Sequence, residues 1–187
     1  MQGFAMTVAM KRFFLVVALL LPGVAAQAQP AASFPEPIAR ANTGAIQCYM
    51  PDERRKTCNM TSRYRRVDGG AIEMVTLMAI ARTVTMEVTE PVEIKGDKVC
   101  SVMLQSQLDA AKFVTTDGNP VDDVLVQKLR EHVRNDVGKY FGHLMCTAYQ
   151  DLGLNFVATQ TLDGERFDRE VIPMIWVRAD EGYQVRR

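Results

Sequence analysis

The chain is predicted to be an α+β domain: a mostly antiparallel sheet packed with a helical hairpin and held by two disulfides. Three observations point there. Residues 45–90 and 154–178 largely alternate apolar and polar side chains, as half-buried strands do. Residues 101–145 between them carry apolar side chains at three- and four-residue steps. Four cysteines, Cys48, Cys58, Cys100 and Cys146, follow what reads as an export signal.

The signal comes first. Lys11-Arg12 precede the apolar run Phe13 to Leu21, Pro22-Gly23 break it, and the small residues Ala26 and Ala28 frame a cut expected after Ala28. The run is shorter than the ~20 apolar residues of a spanning helix, so the membrane is met only through this segment before cleavage. Met1, Met6 and Met10 are alternative starts. Residues 1–28 are thus a signal peptide, 29–43, with Pro30, Pro35 and Pro37, a flexible lead-in, and 44–187 a single domain. Cleavage leaves 20 basic against 22 acidic residues, a net charge of about −2 and no nucleic-acid footprint.

Ala45 to Met50 and Asn59 to Val67 read as strands, and Ile72 to Ala81 fits a strand or a buried helix. Arg82 to Glu90 sets Val84, Met86 and Val88 against Thr83, Thr85, Glu87 and Thr89. From Ser101 to Phe113, Val102, Leu104, Leu108, Ala111 and Phe113 suit a short helix. Asp117-Gly118-Asn119-Pro120 then turn the chain, with Asn119 as N-cap and Pro120 at the first helical position. A long amphipathic helix, about 120–145, follows through Val124, Leu125, Leu129, Val133, Val137, Phe141 and Leu144. Leu154 to Leu162 and Glu165 to Ile172 form a hairpin about Asp163-Gly164, since Asp-Gly supplies the positive φ angles of a tight turn. Pro173 is expected at an edge or bulge before a last strand, Met174 to Arg178, where Trp176 packs in the core.

An even cysteine count behind an export signal implies staples rather than a metal site, and neither zinc nor redox C-x-x-C spacing occurs. Cys48 and Cys58 enclose nine residues with the turn signal Pro51-Asp52, which favours a local bridge and leaves Cys100 for Cys146. These loops are worth about 3 and about 4 kcal/mol in the chain-entropy model. The second pairing needs Gly138 or Gly142 to bend the long helix, or a cysteine reaching from a strand.

Catalytic signals are sparse. Ser33, Ser62, Ser101 and Ser106 lie in no Gly-x-Ser-x-Gly elbow, and His132 and His143, on one helix, stand about 16 Å apart. Methionine thioethers bind copper(I), but only Met74 and Met78 are near neighbours in sequence, so the methionines read as core filler and no cofactor or metal is expected. Asp163, Glu165, Asp168 and Glu170 gather at the hairpin and offer the alternative reading, a small envelope hydrolase. The leading expectation is non-catalytic binding of an envelope protein or an anionic glycan or lipid. It would use a basic surface of Arg54, Arg55, Lys56, Arg63, Arg65 and Arg66, with Tyr64 as a stacking face.

Overall fold

The structure, a computed structural model, describes residues 33–153, 155–167 and 171–186. The predicted signal segment with its cut at Ala28 lies outside these residues, as do Leu154, Asp168 and Glu170. The described chain is mainly β. Its strands are β1 (Ile46–Tyr49), β2 (Thr57–Cys58), β3 (Met60–Arg66), β4 (Ile72–Ala81), β5 (Val84–Lys95), β6 (Lys98–Val102) and β7 (Lys112–Thr115), then β8 (Leu144–Asp151), β9 (Phe156–Leu162), β10 (Glu165–Arg166), β11 (Ile172–Val177) and β12 (Gln184–Val185). Two α-helices, α1 (Gln105–Asp109) and α2 (Asp123–Val137), interrupt them.

Eight strands form a closed antiparallel barrel in the order β9-β11-β1-β3-β4-β5-β6-β8, with β8 pairing back onto β9. β7 and β10 extend the wall beside β5 and β9, while β2 and β12 make a separate parallel pair. The alternation seen in sequence is what the wall requires: along β3, β4 and β5 every second residue enters the lumen and its neighbours face outward. Asp163 and Gly164, at φ 50 and 88, make the predicted turn, with Leu162 opposite Glu165. The return strand β10 is brief, and β11 lies between β9 and β1, so Pro173 sits inside the wall rather than at an edge.

The helical hairpin is not what forms. Residues 98–102 are strand, only Gln105–Asp109 are helical, and Lys112–Thr115 are strand again. Asp122, not Asn119, caps α2 by accepting from the Val124 and Leu125 amides. After one 3₁₀ turn, Gly138–Tyr140, an extended Phe141 and Gly142 at φ 85 end the helical run, and Leu144 starts β8. The cause is non-local. Cys100 lies directly opposite Cys146 on neighbouring strands with their Cα atoms 4.0 Å apart, a juxtaposition that two unequal helices do not supply. Both predicted disulfides, Cys48–Cys58 and Cys100–Cys146, are present.

Each end of the barrel has a cover. At one end the segment 35–43, expected as a lead-in, drives Ile38, fully buried, and Ala41 against Tyr64, Val92 and Val99. Proline content suggested a linker there, yet Asn42 ties back to Phe34 by two hydrogen bonds and the apolar side chains dock. At the other end α2 lays Val126, Leu129 and Val133 over Val84, Met86 and Phe113. Arg130 on α2 donates to the Leu108 and Ala111 carbonyls and Arg134 pairs with Asp109 at 3.1 Å, pinning α2 to the α1 region.

Candidate functional site in the barrel lumen

Between the two covers lies a cavity of about 300 Å³. An eight-stranded barrel is just wide enough inside for its own side chains or for one small ligand, which makes the unfilled lumen the candidate site. Six methionines line it: Met60, Met74, Met78, Met86, Met103 and Met145. Their convergence follows from register. Met60 faces Met78 across β3 and β4, and Met78 faces Met86 across β4 and β5, so three thioethers stand side by side on the inner wall. Leu104, Leu108, Val133, Val137 and Phe141 close this apolar part from the helical side, beside Tyr140, whose ring meets Phe167 edge-on at 4.8 Å.

Beside this apolar part lies an organised polar band. Gln47, fully buried on β1, accepts at Oε1 from Tyr49 (2.8 Å), Tyr64 (2.9 Å) and Tyr149 (3.4 Å), and the Tyr49 and Tyr149 hydroxyls are 2.9 Å apart. Gln47 Nε2 is buried with no partner among the described residues. Burial, reinforced for Tyr49 and Tyr64 by the neighbouring Tyr149, raises all three phenols above their ordinary range, so they remain hydroxyls. Ser62 and Thr76 share a hydrogen bond of 3.0 Å one level nearer the methionine row. Glu90 on β5 completes this band, opposite Met74, which is itself opposite Tyr64. Burial raises its carboxyl above the ordinary range, only partly offset by a hydrogen bond from Ser101.

The residues expected as a binding face are scattered by the same register. Tyr64 is no surface platform: it points into the lumen and is buried. Arg63 and Arg65 lie on the outer wall, paired with Glu87 (3.5 Å) and Glu73 (2.7 Å). Arg66 turns toward the N-terminal segment, donating to the Gly70 and Ser33 carbonyls with its guanidinium over Phe34. Arg54 is exposed in the loop closed by the first disulfide. Beside it, Arg55 bonds Asp52 and Lys56 reaches the Glu181 carbonyl. Arg55 and Lys56 line a shallow groove with Arg186. At the hairpin, Asp163 is bound by His143 Nδ1 (2.5 Å) and the Leu144 amide, which hold its carboxyl below the usual carboxylate range. His143 therefore lies off the helix that was predicted to carry it. His132 is exposed beside Asp136 rather than packed on an apolar stripe. Glu165 is exposed on β10.

Gln47, Tyr149 and Glu90 went unnoticed in the sequence because nothing local marks them. The usable signal was the alternation itself, which put Met60, Ser62 and Tyr64 on one face and Met74, Thr76 and Met78 on another. No protein-family model, no curated protein and no solved structure matches this chain.

Proposed function

We propose that this protein is a non-catalytic carrier or sensor that holds one small, largely apolar molecule in its barrel lumen. The observation that carries the reading is the cavity itself: a thioether-rich half beside a band of hydroxyl, amide and carboxyl groups, the composition expected of a pocket that buries a chain and orients one polar end. Methionine suits this because its unbranched, polarisable side chain adapts to varied shapes. The two disulfides point to an oxidising, non-cytoplasmic compartment, and no helix among the described residues is long and apolar enough to cross a membrane. A basic surface for an envelope protein, anionic glycan or lipid has weaker support, since Arg63 and Arg65 are paired with acids. A hydrolase at the hairpin has less, since Asp163 is engaged by His143.

The test is displacement of an environment-sensitive apolar dye by 1-octanol, followed by fluorescence in the parent and in Val88→Phe, which adds bulk to the lumen wall. Octanol displaces the dye from the parent and the dye binds Val88→Phe at least tenfold more weakly; equal dye binding by both proteins contradicts the lumen as the site.

The row Met60, Met78, Met86 favours a second reading, copper(I) held by three thioethers. It predicts one copper(I) per protein, retained against a chelator and lost when the three methionines become leucine. Unchanged retention in that variant removes it.

A further inference from the structure

Every lining residue bears on what the polar end of the ligand is. Among the described residues around the cavity there is no lysine, arginine or histidine, and Glu90 is the one carboxyl. The titratable groups around it are Tyr49 and Tyr149 on the wall, with Tyr64 beside them, and Tyr140 on the helical side; burial keeps Tyr49, Tyr64 and Tyr149 as neutral phenols. The lumen therefore carries one negative charge when Glu90 is ionised and none to offset it. An anionic head group, a fatty carboxylate or a phosphate, meets that charge in a low-dielectric space without a cationic partner. A protonated amine meets a carboxylate already placed, with the Ser101 hydroxyl on it and hydroxyls and amides nearby.

Resting on the lumen reading above, we infer that the ligand is an amphiphilic cation, an apolar chain or ring system ending in a protonated amine, whose nitrogen pairs with the Glu90 carboxylate while its apolar part lies along the methionine row. A cation there also removes the reason for Glu90 to hold its proton, so binding to the protonated form releases one proton. Amine affinity falls with acidification, as Glu90 takes up its proton, starting above the ordinary carboxylate range because burial raises it. Affinity for a neutral ligand of equal chain length stays level.

Calorimetric titration with three probes of one chain length, octylammonium, 1-octanol and octanoate, separates the claims. Expected for the parent at neutral pH is an order of octylammonium, octanol, octanoate, with octylammonium ahead of octanol on the order of tenfold. In Glu90→Gln octylammonium binds no more tightly than octanol, and proton release on amine binding, read from the dependence of the heat on buffer ionisation, is abolished. Circular dichroism confirms that the variant is folded. If octanol binds but octylammonium gains nothing over it, or octanoate binds best, the cation assignment is overturned and the lumen reading survives. If none of the three binds, both fall together.

Discussion

The two faces of β3 differ in what their side chains are asked to do. Outward, Arg63 and Arg65 pair with Glu87 and Glu73 in contact with water. Such pairs are worth little, because each guanidinium exchanges one well-solvated partner for another and gives up side-chain freedom. Inward, Ser62 and Tyr64 are buried beside a half-buried Met60, and there a single hydroxyl needs a defined acceptor. Sequence reasoning is drawn to the outer face because charge runs are conspicuous. The buried polar groups sit one residue over, where low dielectric makes each of them count.

The comparison predicts a ranking of effects. The largest is expected at the end covered by segment 35–43: Ile38→Ala removes a fully buried side chain and costs about 3 kcal/mol, read from urea unfolding. A cost under about 0.5 kcal/mol would mean that segment 35–43 is the loose lead-in its prolines suggest. Next comes Gln47→Leu, which takes one carbonyl away from three tyrosine hydroxyls. Losing buried acceptors places the cost at about 2 kcal/mol, and replacing Tyr49 by Phe in the same background recovers part of it.

Glu90→Gln has the opposite sign. A carboxyl raised by burial binds its proton more tightly folded than unfolded, so its contribution is favourable below the ordinary carboxylate value. That contribution is lost as pH rises through the raised value. The variant therefore melts a few degrees higher than the parent at neutral pH, and the gain vanishes in acid below the ordinary carboxylate range; thermal melts across pH show this directly. The smallest effect belongs to the outer wall. Arg65→Ala, which breaks the pair with Glu73, changes stability by less than about 1 kcal/mol and leaves dye binding in the lumen unaltered.

Much of the wall was legible in the chain. Val84, Met86 and Val88 alternate with Thr85 and Glu87 because the two sets face opposite sides of the wall, and Asp163-Gly164 turn because their φ angles are positive. Spacing favoured the Cys48–Cys58 pair and left Cys100–Cys146 by elimination, and both form. What could not be read locally was closure: β6 joins β8 and β1 joins β11, pairings between strands far apart in the chain. Without them, Val102, Leu104 and Leu108 resemble a helix face, and Leu144 to Cys146 look like its continuation. The site was hidden for the same reason. Met60, Met78 and Met86 sit on three different strands and become neighbours only through their register. Glu90 gains its meaning from the lack of any lysine, arginine or histidine among the described residues that line the lumen.

The central claim, that the ligand enters the barrel rather than coating its wall, is tested most directly by labelling methionine methyl groups with ¹³C and titrating in 1-octanol by NMR. Met50 lies outside the lumen and is exposed, which makes it an internal control. The account predicts saturable shifts at Met60, Met74, Met78, Met86, Met103 and Met145, with Met50 unmoved. Shifts confined to Met50, or six lumen signals unchanged at saturating octanol, would contradict it.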